Sequence, residues 1–272
     1  MIKDITIGQY FPGLSPVHRM DPRMKLILTT AYIVLLFVAN NVFSLLVGVV
    51  FLLIVYPISG ISWKMVLKSV KPILPIIAFT AILNMFFIGG NVIWQWWVFK
   101  ITDRGVLTAV LMCIRIVCLI AGTSLMTYTT SPIALTDAIE RLFSPLKKIR
   151  MPVHEVAMMM TIALRFIPTL IEETDKIMSA QKARGADMES GNIIQRVKAL
   201  VPILIPLFVS AFRRADELAL AMECRCYHGG EGRTRMRQLH MGRLDIYSAL
   251  FVGACLTLTI LANIYAPGLS LR

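Results

Sequence analysis

Leu26 to Trp63 is a run of 38 residues without one charged side chain. Two further charge-free runs follow, Pro72–Phe99 with 28 residues and Ile246–Leu271 with 26. Gly105–Thr136 carries a single charge, Arg115. A membrane-spanning helix needs about 20 apolar residues. Such runs restrict the chain to an all-α integral membrane protein, since a bilayer forces each segment to satisfy its own backbone hydrogen bonds. The 38-residue run is too long for one span, and Asn40-Asn41 breaks it into a hairpin. Five spans are expected, over about 23–39, 42–59, 72–89, 106–128 and 246–265.

Charge is partitioned along the chain. Overall, charged residues make up 16% of the 272, against about 25% in soluble domains. Residues 131–243 hold 29 of the 44 charges, a soluble-like density. The expected organisation is a four-span domain at 1–130, a cytoplasm-facing coupling domain at 131–243 and a last span at 244–272. Lys and Arg set the orientation. With five spans, 24 of them fall on the side of the N-terminus and insert, 3 fall opposite, and Arg115 lies inside a span. The N-terminus and insert are expected in the cytoplasm and the C-terminus outside. Trp94, Trp96 and Trp97 suit an outer interfacial belt. The start MIKDITIGQYFPGLSP has no apolar core, so no cleavable signal is expected. Structural disulfides are not expected among the five cysteines, Cys113, Cys118, Cys224, Cys226 and Cys255.

The insert reads as three amphipathic helices, about 132–144, 152–186 and 193–228. Ser131 and Pro132 suit an N-cap and first helical position. The second and third helices share a plan: an apolar, proline-containing half, a polar stretch with Arg, then a small–Arg–small tripeptide. The tripeptides are Ala183-Arg184-Gly185 and Cys224-Arg225-Cys226. Each helix is about 50 Å long at 1.5 Å per residue. Counting the apolar halves 156–171 and 199–212 as spans would give seven. They are short and interrupted by Arg165 or by Pro202 and Pro206, so interfacial helices fit better.

The ARGAD block at 183–187 and the AMECRCY block at 221–227 stand with FSPLKKI at 143–149, LRFIPTLIEE at 164–173, FRRADELALAME at 212–223 and MDPRMKL at 20–26. Together they make the chain resemble the transmembrane T component of energy-coupling factor transporters, the EcfT/CbiQ-like family. The resemblance covers essentially the whole chain. It implies a non-catalytic coupling subunit that joins two cytoplasmic ATP-binding-cassette ATPases, as a homo- or heterodimer, to one or several membrane S components that capture a vitamin or other micronutrient. It implies two long, crossed coupling helices whose small–Arg–small ends dock on the ATPases, which makes Ala183, Arg184, Gly185, Cys224, Arg225 and Cys226 the docking residues. The second tripeptide departs from the common form at both flanks, with cysteine in place of the usual small residues. Met158, Met159, Ile162 and Phe166 are the candidates to face an S component. Asp21, Pro22, Arg23 and Lys25 form a structural N-terminal motif in which Asp21-Pro22 opens the first span. ATP and Mg are expected on the ATPases, with no cofactor or metal in this chain.

Rival readings are a T component dedicated to cobalt or nickel, an interfacial enzyme using His154, Glu155 and Arg165, and a self-sufficient channel. The sequence has no Walker A motif, G-x-S-x-G or H-E-x-x-H. Cys224, Cys226, His228 and His240 do not have a usual zinc spacing. Arg115 is an intramembrane charge, open to a functional or a pairing role. The basic tract 229–243 suits lipid headgroups rather than nucleic acid.

Overall fold

Asp21-Pro22 starts the first long helix for local reasons. The Asp21 carboxylate accepts the Arg23 amide at 2.9 Å, and Pro22 stands where no N–H is needed. The computed structural model describes residues 10–89, 92–96, 99–149, 151–186, 192–229 and 238–265. Its helices are α1 Pro16–Arg19, α2 Pro22–Val38, α3 Val42–Ser59, α4 Trp63–Val70, α5 Leu74–Phe87, α6 Asp103–Thr129, α7 Pro132–Leu142, α8 Val153–Ala183, α9 Ile193–Glu223 and α10 Arg243–Tyr265. Short 3₁₀ turns cover Lys71–Ile73 and Ser144–Ile149. Two short strands, β1 Val92–Trp96 and β2 Phe99–Thr102, pair antiparallel.

Five described stretches are long and apolar enough to cross a membrane: α3, the run Trp63–Phe87, α6, α8 and α10. The set differs from the sequence expectation in two members. The 17 residues of α2 rise about 26 Å, a little less than a ~30 Å hydrocarbon core. α8, expected at the interface, joins the set because its apolar side chains outweigh Glu155 and Arg165. The third stretch also starts earlier than expected. Ser62 and Pro72 permit a helical run from Trp63, and α4 buries Val66 and Val70 while Lys64 and Lys68 stay exposed. In the Trp-rich segment between the expected third and fourth spans, β1 and β2 pair, as their β-favouring Val, Ile, Trp and Phe allow. Trp97 lies outside the described residues.

The described residues fall into two compact units, one within 139–238 and one made of 10–138 with 239–265. In the first, α8 and α9 pack together. In the second, α6 packs on α2, α3, α4 and α5, and α10 packs on α2 and α3. Tyr32, Leu35, Leu36, Leu52, Tyr56, Cys118 and Leu125 lie in its core.

Tyr32 shows how closely that core is fitted. Its hydroxyl donates to the Gly48 carbonyl at 3.1 Å, and its ring stacks on Phe51 at 4.8 Å. Gly122 lets α6 approach this ring, since a Cβ there would sit 2.5 Å from it. Arg115 resolves into a pairing role. Its guanidinium donates to the Ala39 carbonyl at the end of α2, and Asn263 of α10 donates to the Val38 carbonyl at 2.7 Å. Both carbonyls belong to a last turn that has no helical partner of its own. A charge from one neighbour and an amide from another thus close α2 within the bundle.

Gly122→Val is expected to destabilise the bundle by about 1–3 kcal/mol through overpacking against Tyr32. Gly253→Ala, inside α10 where an added Cβ meets nothing within 4 Å, is the control and is expected to stabilise slightly, by up to about 1 kcal/mol. Thermal unfolding of the detergent-purified protein compares the two.

Candidate functional site

The two small–Arg–small tripeptides end their helices in the same hydrogen-bonded turn. After α8, the Gly185 amide donates to Lys182 O at 3.0 Å and the Ala186 amide to Gln181 O at 3.0 Å. After α9, the Cys226 amide donates to Glu223 O at 2.8 Å and the Tyr227 amide to Met222 O at 3.1 Å. Each pair satisfies two of the carbonyls a helix end leaves open, and each needs a left-handed residue after the cap. Gly185 supplies it at φ 85° without strain, and Cys226 supplies it at φ 53° against the preference of its Cβ. Arg184 and Arg225 therefore occupy equivalent places, immediately before the left-handed residue. Both tripeptides are exposed.

α8 and α9 run in opposite directions along each other. The Tyr227 hydroxyl donates to Met158 Sδ at 3.1 Å, Arg214 pairs with Glu173 at 2.8 Å, and the Gln181 amide donates to Pro202 O at 3.4 Å. The last bond has a local cause. Pro206 has no N–H to offer the carbonyl four residues back, so Pro202 O is left to a partner from α8. The opposed directions put Arg184 and Arg225 at opposite ends of the pair, on the order of 35 Å apart from the helical rise.

The N-terminal motif forms a second constellation, in the other unit. The Asp21 amide donates to Asp245 Oδ1 at 2.9 Å, and the Gly242 amide to Asp245 Oδ2 at 2.7 Å. Arg23 pairs with Asp21 Oδ2 at 2.7 Å and donates to Leu239 O at 3.2 Å. Lys25 donates to Thr129 O at 2.8 Å and His18 O at 3.2 Å. Asp21, Lys25 and Asp245 are at most 5% exposed. Sequence reasoning had Asp21, Pro22, Arg23 and Lys25 but missed Asp245. The signal was an isolated acidic residue at the start of an otherwise uncharged span.

The profile of the family described as cobalt transport protein matches residues 13–236. The chain is 58% identical over 246 residues to the energy-coupling factor transporter transmembrane protein EcfT of Ruminiclostridium cellulolyticum, covering 90% of this chain and 92% of the relative. Identity to the EcfT of Clostridium kluyveri is 53% over 267 residues, 97% and 99% of the two chains. The Bacillus subtilis EcfT is 49% identical over 240 residues, 88% and 91%. This chain belongs to the EcfT/CbiQ-like family.

The remaining candidates of this family member divide between the helix pair and its surface. Met158, Ile162 and Phe166, four residues apart on α8, are partly buried, whereas Met159 is 57% exposed. A longer exposed apolar strip lies on α9, through Ile194, Val197, Val201, Leu204, Phe208 and Phe212. Its spacing of three and four residues was visible in the sequence, but the prolines masked its continuity. His154 Nδ1 lies 3.0 Å from Glu140 Oε1, while Arg165 and Glu155 are exposed. Among the described residues, no three His, Cys, Asp or Glu side chains come together as a metal site. Asp187, the last residue of the ARGAD block, lies outside the described residues.

His18 brings a pH dependence to the segment before α2. A carbonyl only accepts, so its Nε2 donates to Phe11 O at 3.0 Å, and its Nδ1 faces the Ser15 hydroxyl at 2.6 Å. Burial pushes its pKa below the ordinary histidine value, the Phe11 hydrogen bond opposes this, and the Lys25 charge adds to the lowering. A lowered folded-state value favours the neutral ring. Its stabilising effect is complete above the unfolded value of about 6.5 and is lost as pH falls through the folded value. Residues 10–20 are expected to exchange amide hydrogens more slowly at pH 7.5 than at pH 5, after correction for intrinsic rates, and His18→Gln is expected to remove the difference. Cys226→Gly is expected to stabilise the end of α9 by about 1 kcal/mol, seen as slower exchange at Cys226 and Tyr227, and Cys226→Val to loosen it.

Proposed function

We propose that this chain is the coupling subunit of an ATP-driven importer for a vitamin or micronutrient. Two cytoplasmic ATP-binding-cassette ATPases, as a homo- or heterodimer, grip Ala183-Arg184-Gly185 and Cys224-Arg225-Cys226. They bind and hydrolyse ATP with Mg, and this chain performs no catalysis. One or several S components capture the solute and rest on the apolar surface of the helix pair, with Met158, Met159, Ile162 and Phe166 as candidate contacts. The N-terminus and the coupling helices lie in the cytoplasm and the C-terminus outside, as the Lys and Arg asymmetry favours.

The observation that carries this reading is the matched pair of arginine-bearing helix ends at opposite ends of one antiparallel helix pair. An arginine presents a planar fork of donors suited to a carboxylate, and small neighbours allow close approach. A rigid pair with one such handle at each end converts a change in the separation of two partners into a motion of the helices. A dedicated metal-ion importer is the second reading, favoured by the description of the matching family. It would bring one ATPase type and one capture partner where a shared module brings several.

Arg184→Glu and Arg225→Glu are each expected to lower the ATPase recovered with the chain from mild detergent by tenfold or more, equivalent to at least about 1.4 kcal/mol. Membrane insertion is expected to be unchanged. Arg184→Lys is expected to fall between, since an ammonium keeps the charge but not the fork. Wild-type ATPase recovery with both reversals in place would overturn the docking assignment.

A further inference from the structure

The chain leaves the 10–138 segment toward the 139–238 unit after α6, and returns to the bundle at 239–245 before α10. The end of α6, from which the outgoing path starts, and the start of the returning segment are both fastened to the first turn of α2. Lys25 holds the first by Thr129 O, and Arg23 holds the second by Leu239 O. Asp245 adds a second hold on the return, accepting from the Asp21 and Gly242 amides with its two oxygens. Every one of these bonds except the Arg23–Asp21 pair involves backbone, so each fixes the path of the chain rather than a side-chain contact. Burying several charges is a poor way to gain stability alone, because apolar residues of similar volume do as well. Position is what such a set specifies.

We propose that Asp21, Arg23, Lys25 and Asp245 form a clasp that fixes both connections of the coupling unit and passes its movement into the membrane bundle. They are positioning residues, and the proposal rests on the coupling function above. With the clasp intact, a displacement of 139–238 reaches α2, α6 and α10 through two fixed points. With it open, the two connections yield, and the displacement ends there.

The test uses the full complex with its ATPases in lipid nanodiscs and compares amide hydrogen exchange with and without ATP–vanadate. In the wild type, ATP–vanadate is expected to change exchange in 153–223 and also in 22–38 and 243–265. In Asp245→Asn the change in 153–223 is expected to persist, and the change in the bundle to fall at least fivefold, with ATP hydrolysis within twofold of wild type. Arg23→Gln leaves the bond from the Asp21 amide to Asp245 in place and removes the hold on Leu239 together with the ion pair to Asp21. It is expected to show the same split to a smaller extent, and it decides the matter if Asp245→Asn does not assemble. A wild-type response in the bundle of either variant overturns the clasp, as does a proportional loss in both units. A wild-type complex with no ATP-dependent change in 153–223 overturns the coupling function itself.

Discussion

The bond from the Asp21 amide to the Asp245 carboxylate joins residues 224 apart in sequence. It brings the beginning of the first long helix to the beginning of the last one. Both residues are almost wholly buried, where an unpaired charge is strongly destabilising. Loss of either carboxylate strands its own partner, Arg23 for Asp21 and the Gly242 amide for Asp245. The placement of α10 against α2 and α3 follows from this end, and at the far end the Asn41 amide donates to Ala262 O at 3.4 Å and the Asn263 amide to Val38 O at 2.7 Å. Polar fastenings at the two ends leave the middle of the bundle to apolar packing around Tyr32 and Tyr56.

Proline plays a similar part in the other unit. A proline inside a helix removes one amide and leaves a carbonyl four residues earlier without its partner. In α9, the carbonyl freed by Pro206 is used by Gln181, three residues before Arg184. The proline inside α9 thus marks the place where the end of α8 is held.

Much of this was legible in the sequence because it follows from local rules. Charge-free runs located α2, α3, α6 and α10, and the Ser131-Pro132 and Asp21-Pro22 pairs marked helix starts. The matching tripeptides located both arginines, and glycine after Arg184 announced a left-handed turn. Long-range pairings left no such trace. Nothing local says that Lys25 reaches Thr129 or that Arg115 closes α2. Cys226 in a left-handed conformation also runs against its residue type, and only the equivalence of the two helix ends hints at it. The pairing of β1 with β2 was hidden because tryptophans near a membrane suit an interfacial belt equally well.

The two arginine-bearing ends are alike in backbone and unlike in chemistry. One turn closes on glycine and the other on cysteine. A single chain that presents one relaxed and one strained terminus has no internal symmetry to offer. Two identical partners gripping it become inequivalent the moment they bind, since one meets a thiol on either side of its arginine and the other meets none. Any pseudo-twofold assembly built on this chain thus acquires a direction from it, even when the partners themselves are the same.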